Sequence, residues 1–158
     1  MNTLPINEIF ETIQGEAHWT GTPSVFVRLQ GCPVDSEHHA EMTVDELLEA
    51  LDQYTAQHIV ITGGEPCMYD LTAFTTALIE SGRSCQIETS GTYPIKAHPL
   101  TWVTVSPKID MAGGLKVLRE AIEMASEIKH PVGKMADIER LQENVIPWTP
   151  HHADVWLQ

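Results

Sequence analysis

Short apolar runs alternate with amphipathic segments along much of this chain. Residues 59–62 (IVIT) are β-branched throughout, which is typical of a short parallel strand buried on both faces. Apolar residues then recur at helical spacing from Leu71 to Ile79, after a candidate capping residue, Asp70, and before Gly82. The pattern predicts a strand, a loop and a helix, with the loop at the carboxyl end of the strand, where α/β sheets and barrels bind ligands.

Apolar runs predict further strands over residues 24–29, 85–88, 102–105, 127–132 and 154–158. Two of these strands end in small, hydroxyl or charged residues, at 89–91 (TSG) and at 106–108 (SPK). The loop at 63–66 (GGEP) has the same character. We therefore expect one shared ligand pocket at these three strand ends, although Ser-Pro-Lys alone also fits an ordinary turn.

Three helices are predicted in addition to the one after Asp70. Thr43 and Glu46 form a capping box ahead of an amphipathic helix. Residues 115–128 have one apolar and one charged face, which indicates a helix packed on a core. Residues 136–144 form a shorter, more polar helix.

Two segments lack a clear period. Residues 7–23 mix polar residues with glycines and are predicted as a loop-rich segment holding Gln14 and Glu16, either a surface lead-in or one wall of a site. Residues 35–42 are polar and irregular. Arg28 interrupts an apolar run, so it either clamps a substrate carboxylate or lies on an exposed edge strand.

The loop after residues 59–62 carries candidate binding chemistry. Gly63 and Gly64 lack a Cβ, which would let a ligand lie against the backbone. Glu65, fixed by Pro66, suits a cationic group such as an amine. A tight turn without a ligand is the alternative interpretation of the glycine pair.

Composition narrows the class of ligand. The chain has 158 residues, of which 42% are hydrophobic and 20% charged, and a formal net charge of -13. These values suit one globular domain, and the negative charge disfavours binding to a nucleic acid backbone. There is no apolar run of membrane-spanning length and no secretory signal, and the three widely spaced cysteines suggest no disulfide framework. We expect a cytoplasmic protein that binds a small molecule, and neither nucleic acid nor membrane.

A series of motifs carries a resemblance to a known family: NEIFETIQGE, TGTPSVFVRLQGCPV, VITGGEP, CQIETSGT, WVTVSPK and EIKHPVG. Over most of residues 6–133 the chain resembles the 7-carboxy-7-deazaguanine synthases, radical S-adenosylmethionine enzymes of queuosine biosynthesis. The resemblance implies a shortened (partial) radical-SAM α/β barrel with a mostly parallel sheet. It also implies a single domain over residues 1–158 and a homodimer.

The resemblance assigns roles to individual residues of this sequence. The residues that match cofactor-binding positions for S-adenosyl-L-methionine are Gly63, Gly64, Glu65, Ser90, Ser106, Pro107 and Lys108. The residues that match substrate-binding positions are Ile13, Gln14, Gly15, Arg28 and Thr62. Because the matching arginine reaches the substrate carboxylate, the resemblance favours the clamp interpretation of Arg28.

The implied reaction begins when a reduced 4Fe-4S cluster cleaves S-adenosylmethionine to methionine and a 5′-deoxyadenosyl radical. The radical removes a hydrogen atom from 6-carboxy-5,6,7,8-tetrahydropterin, whose ring contracts to 7-carboxy-7-deazaguanine with loss of ammonia. Mg2+ on the substrate carboxylate assists, and an electron donor such as flavodoxin or ferredoxin reduces the cluster. The protein contributes orientation and electrostatics.

One motif departs from the family pattern. The family binds its cluster through Cys-x-x-x-Cys-x-x-Cys, which begins here at Cys32, but Ser36 and His39 occupy the next two positions. Either this chain is a cluster-free relative acting as a nucleotide- or pterin-binding module, or a segment after Val34 and a tail after Gln158 are missing from this sequence. We favour the second explanation, because a protein without a cluster would have little use for the other motifs.

A third class of function is a generic α/β phosphate-binding enzyme that uses the glycine pair at 63–64. The chain lacks both the Walker A lysine motif and the G-x-G-x-x-G motif. This class therefore ranks last.

Overall fold

The computed structural model describes residues 3–31, 39–110 and 114–158, and in these residues eight strands form one sheet. The strands are β1 (Thr3–Ile13), β2 (Pro23–Leu29), β3 (Ala40–Thr43), β4 (His58–Gly63), β5 (Ser84–Thr89), β6 (Trp102–Val105), β7 (Glu127–His130) and β8 (Asp154–Leu157). The helices are α1 (Val44–Leu51), α2 (Thr72–Glu80), α3 (Arg119–Glu123) and α4 (Met135–Asn144). The order across the sheet is β3-β1-β2-β4-β5-β6-β7-β8.

The sheet is mostly parallel, which confirms the prediction. β2 and β4 to β8 run in one direction, whereas β1 runs antiparallel to its neighbours β2 and β3. Parallel neighbours require crossover connections, and α1 to α4 lie in four of them. Within the described residues the edge strands β3 and β8 do not pair with each other, so this is an open α/β sheet.

One face of the sheet, which we call the helix face, packs against the helices and forms the core. The strand register places Val27, Ile61, Ile87 and Val103 side by side across four strands, and each is at most 4% exposed. Buried helix residues complete the same core cluster: Leu47, Leu51, Phe74, Leu78, Ile122 and Leu141. Each such apolar side chain stabilises the fold by about 1.5–3 kcal/mol relative to an exposed one, so this face fixes the strand order.

The prediction of a loop over residues 7–23 is wrong, because β1 continues to Ile13 and pairs with β2. The register shifts between Ile6 and Glu8, so a bulge interrupts the alternation by which a strand is recognised in a sequence. The loop is therefore confined to residues 14–22, which include one short turn of 3-10 helix at Ala17–Trp19.

Two other predicted segments need correction. Part of the polar segment 35–42 enters the edge strand β3. The helix predicted over 115–128 is reduced to α3, because backbone hydrogen bonds hold the chain on both sides of it. The N–H of Leu118 donates to the carbonyl of Gly91 and that of Ser126 donates to the carbonyl of Val103, both at 2.8 Å.

The capping box predicted at Thr43 and Glu46 is confirmed, whereas the N-cap residue of α2 is Leu71, one residue after the predicted Asp70. The backbone N–H of Thr43 donates to the Glu46 carboxylate at 2.8 Å, and the Glu46 N–H donates to the Thr43 hydroxyl at 3.3 Å. The Asp70 carboxylate accepts from the N–H of Thr72 at 3.0 Å at the start of α2. None of the helices in the described parts of the chain has the length and apolar character needed to cross a membrane.

The glycine pair after β4 is required by a close approach of two backbones. Gly63 has a φ of 131°, and a Cβ there would lie 2.1 Å from the carbonyl oxygen of Leu29. A Cβ on Gly64 would lie 2.1 Å from the Cα of Gly31. The sequence suggested that these glycines leave room for a ligand, but the space that a Cβ would fill is taken by the end of β2.

We expect Gly63→Ala to lower the free energy of unfolding by more than about 1 kcal/mol, because alanine disfavours the positive φ and its Cβ overlaps the Leu29 carbonyl. The measurement is urea unfolding followed by circular dichroism. Gly15→Ala is the matched control, since no atom lies within 4 Å of the added Cβ. Equal unfolding midpoints for the two variants would contradict this account.

Candidate active site

Polar side chains occupy the face of the sheet opposite the helices, which we call the open face. Arg28 pairs with Thr62 in the β2–β4 register, and Glu88 pairs with Thr104, which pairs with Glu127. Ile61 of β4 pairs with Ile87 of β5, so the residues that follow them, Thr62 and Glu88, are also neighbours. The five side chains therefore form one row across the sheet. Side chains alternate between faces along a strand, which explains why this row lies opposite the apolar core.

Arg28 occupies one end of the row and is half-exposed. Its guanidinium contacts the carboxylate of Glu8 on β1 at 3.2 Å, and both side chains are about half open to solvent. Beside this pair, Phe10 and Phe26 stack with ring centroids 5.5 Å apart. Because a guanidinium has five N–H donors, Arg28 retains capacity to bind an anionic group next to an aromatic surface.

Glu88 carries a second charged group farther along the row. Its Oε1 accepts from the side-chain amide of Gln14 at 3.1 Å and lies 3.7 Å from Nζ of Lys129. The same ammonium donates to Glu16 at 2.5 Å. Sequence reasoning did not identify Glu88 or Lys129, although each is a charged residue that interrupts an apolar strand.

A chain of hydrogen bonds fills the buried part of the open face. Ser84 contacts Nδ1 of His58 at 2.8 Å, and Nε2 of His58 donates to Gln86 Oε1 at 3.0 Å. The Gln86 amide donates to the Thr104 hydroxyl at 2.9 Å, which donates to Glu127 at 2.7 Å. Each polar group is thus partnered, which removes the free-energy cost of burying it.

The loop over residues 14–22 covers the amino-end side of this chain of bonds. The ring of Trp19 stacks on His58 at 4.1 Å, and that of His18 stacks on Trp102 at 4.4 Å. The backbone N–H of His18 also donates to Glu127 at 3.1 Å. Since the amino end is covered, the accessible part of the open face lies toward the carboxyl ends of the strands.

The carboxylate of Glu65 joins two of the three predicted loops. It accepts from the N–H of Cys67 at 3.0 Å, from the Thr89 hydroxyl at 2.6 Å, and from both the N–H (2.8 Å) and the hydroxyl of Ser90. The side chain is 8% exposed, and these four donors use both of its oxygens. Glu65 therefore fixes the geometry of these two loops. A ligand amine at this site would have to share the Glu65 carboxylate with the four protein donors.

The third predicted loop lies beside the other two. The N–H of Ser106 donates to the carbonyl of Thr89 at 2.8 Å. Pro107 and Lys108 line a cavity of about 590 Å³, together with His130 and Arg140. The strand ends at Gly63, Ser90 and Ser106 are therefore neighbours at one edge of the sheet, and the shared ligand pocket expected there stays a prediction.

The predicted substrate-binding residues divide between two places. Arg28 and Thr62 lie side by side on the open face, and Gln14, 3% exposed, reaches the same row through Glu88. Ile13 pairs with Pro23 at the amino end of β2 and is 62% exposed, and Gly15 is exposed in the loop that follows. The structure does not bring the Ile13 side chain to the row.

The cysteines bear on the predicted cluster. Cys32, the predicted ligand, lies outside the described residues, as do 33–38. Cys67 and Cys85 are buried, and burial raises the pKa of each thiol to about 12. Among residues 3–31, 39–110 and 114–158, no three histidine, cysteine or acidic side chains are grouped so that they could hold a metal ion.

Fold and site together define an α/β protein with a polar face on a mostly parallel sheet. The chain is 48% identical over 170 residues to 7-carboxy-7-deazaguanine synthase from Escherichia coli (strain K12), covering 88% of this chain and 76% of that protein. It is 43% identical over 165 residues to the synthase of the same name from Buchnera aphidicola, covering 85% and 74%. The crystal structure of QueE from Escherichia coli superposes with a TM-score of 0.92 at 42% identity, covering 99% of this chain and 82% of that one.

This chain belongs to the 7-carboxy-7-deazaguanine synthase family, which confirms the resemblance carried by its motifs. No family model matches the chain. The alignment with the Escherichia coli (strain K12) relative runs over 170 residues but takes in only 88% of this 158-residue chain. That relative therefore contains residues without a counterpart here, as the explanation by a missing segment requires.

We expect stability to fall as the pH drops below about 6.5, the ordinary pKa of histidine. Burial lowers the pKa of His58 in the folded chain, so the unfolded chain takes up its proton first. The contribution is complete above the unfolded pKa and declines as the pH falls toward the folded one. The measurement is urea unfolding between pH 5 and 8.

His58→Gln should flatten this pH dependence, because the titrating group is removed. His152→Gln, at an exposed position, serves as the control and should leave the dependence unchanged. A pH profile that is the same in the His58 variant and the parent would contradict the assignment.

Proposed function

We propose that this chain catalyses the ring contraction of 6-carboxy-5,6,7,8-tetrahydropterin to 7-carboxy-7-deazaguanine, with loss of ammonia, in queuosine biosynthesis. Family membership supports the activity, and the row on the open face is the observation that carries the substrate assignment. Arg28 on β2 and Glu88 on β5 are two strand spacings apart, which is about 10 Å. A cation and a carboxylate at this separation suit a bicyclic ligand with an anionic group at one end and N–H donors at the other.

The substrate has this distribution of groups. Arg28 binds the pterin carboxylate in a charge-assisted pair, sharing its guanidinium with Glu8. Glu88 accepts from the N–H groups of the aminopyrimidine ring, held in place by Gln14. Thr62 lies between them in the row and can bond to the ring edge. Fixing both ends orients the saturated ring toward the carboxyl edge of the sheet, where the predicted cofactor loops meet.

The residues that we propose to hold S-adenosylmethionine are Gly63, Gly64, Glu65, Ser90, Ser106, Pro107 and Lys108. Their neighbouring positions at one sheet edge fit a single extended ligand. Glu65 contributes mainly by keeping the first two loops together, since its oxygens already accept four protein donors. When bound with a reduced cluster, this cofactor supplies the radical chemistry that starts the ring contraction.

This sequence fits a 4Fe-4S cluster only in part. Cys32 is the proposed ligand, and Ser36 and His39 stand where two further thiolates are needed. We propose that the missing ligands belong to a segment absent from this sequence, and that Mg2+ is bound at the substrate carboxylate. The same proposal includes a single-domain homodimer in the cytoplasm, with flavodoxin or ferredoxin as electron donor.

A second candidate is a cluster-free module that binds a pterin-like or nucleotide-like ligand on the same face. The absent cysteines favour it. It shares the substrate row with the first candidate and differs only in having no radical chemistry.

Anaerobic reconstitution of the full-length gene product with iron and sulfide separates the two candidates. We expect cluster uptake, cleavage of S-adenosylmethionine and formation of 7-carboxy-7-deazaguanine, and we expect Cys32→Ala to abolish all three. Cluster uptake is followed by iron analysis and absorbance, and the product by mass spectrometry. A full-length product that binds 6-carboxypterin but takes up no cluster would instead establish the binding module.

Arg28→Met should raise the KM for the pterin substrate by about tenfold or more, because one charge-assisted pair is lost. Arg28→Lys should recover part of the affinity. The matched control is Arg119→Met, which removes a guanidinium from an exposed ion pair on α3. An unchanged KM in Arg28→Met would rule out the carboxylate clamp, and KM follows from initial rates of product formation.

A further inference from the structure

We propose that Lys129 is a positioning residue for the substrate: its ammonium holds the carboxylates of Glu16 and Glu88 as a pair of acceptors, with Glu88 two strands away from Arg28 in the row. The inference rests on the proposed function and extends it to a residue that the sequence did not identify. Under this inference Glu16 and Glu88 accept from the N–H groups of the aminopyrimidine ring, and Lys129 holds them in place. The three side chains come from separate parts of the fold.

The geometry of Lys129 supports a connecting role. Its Nζ lies 2.5 Å from Oε2 of Glu16, in the loop after β1, and 3.7 Å from Oε1 of Glu88 on β5. The Lys129 side chain is 12% exposed, whereas those of Glu88 and Glu16 are 20% and 51% exposed. The cation is thus mostly enclosed and the two carboxylates remain accessible from the open face.

The contacts leave one oxygen of each carboxylate available. Gln14 and Lys129 both reach Oε1 of Glu88, and Lys129 reaches Oε2 of Glu16. Within the described ranges, Oε2 of Glu88 and Oε1 of Glu16 have no protein donor in contact. Two carboxylates that share one ammonium and each retain an oxygen without a protein donor are suited to adjacent N–H donors, such as those of an aminopyrimidine ring.

The ammonium is also needed for electrostatic reasons. Two carboxylates near the same cation would repel each other without it, and the more exposed one, Glu16, would be free to move away. Lys129 therefore keeps the two acceptors side by side before the substrate binds.

The position of Lys129 in the sheet links the acceptor pair to the cofactor edge. Lys129 directly follows Ile128, which pairs with Val105, the last residue of β6, and Ser106 of the third loop directly follows Val105. On the other side it pairs with Trp156 of β8. The pair of carboxylates is therefore fixed relative to the third loop as well as to the row.

The test compares Lys129→Met and Lys129→Arg in the reconstituted full-length enzyme, with Lys116→Met as a surface control. The readouts are the Kd of 6-carboxypterin from quenching of its fluorescence, and KM and kcat for ring contraction. We expect Lys129→Met to raise Kd and KM by about tenfold or more, with a smaller effect on kcat. Lys129→Arg should recover most of the affinity, and Lys116→Met should match the parent.

A double-mutant cycle separates positioning from simple structural support. Glu88→Gln should weaken 6-carboxypterin binding, and adding Lys129→Met should cause little further loss, because both substitutions remove the same acceptor. Additive losses, or an unchanged Kd in Lys129→Met, would overturn the proposal. If Lys129→Met fails to fold, the cycle is run with Glu16→Gln and Glu88→Gln, and normal binding by both would overturn it.

The result is distinguishable from failure of the proposed function. A parent enzyme that neither binds 6-carboxypterin nor forms the deazaguanine product would overturn the function itself, and with it the role of Lys129. A parent enzyme that does both, alongside a Lys129→Met variant with normal Kd and KM, would overturn the role of Lys129 alone.

Discussion

The buried amide of Gln86 is the contact on which the open face depends. It lies in the middle of the sheet, 1% exposed, and accepts from His58 while donating to Thr104. The open face carries buried polar side chains of the central strands, and these groups need partners within the sheet. The chain of hydrogen bonds from Ser84 to Glu127 provides them, and every member is placed by strand register.

A second constraint acts at the carboxyl edge, where backbone and side chain have complementary roles. The close approach of Gly31 and Gly64 brings the ends of β2 and β4 together, and the Glu65 carboxylate ties the β4 loop to β5. In the row, Arg28 and Glu88 are partly exposed and Glu127 is buried. Rigid edge and polar face are thus built from different residues, although both belong to the same strands.

Much of the fold is readable from the sequence because its strands are short, apolar and separated by recognisable helix starts. β4, β5 and β6 and the capping box at Thr43 follow from local pattern alone. β1 does not, since a bulge breaks its alternation, and α3 is shortened by hydrogen bonds to distant carbonyls. The motifs locate Arg28 and the three strand ends, but the roles of Glu88 and Lys129 depend on register between strands that are far apart in sequence.

Burial of two thiols has a consequence for the handling of the protein in air. Cys67 and Cys85 are enclosed, with the pKa of each raised to about 12, so the thiolate that reacts with oxidants and alkylating agents is scarce at neutral pH. Both thiols are therefore protected from alkylation and from adventitious disulfide formation while the chain is folded, and they become reactive only when it unfolds.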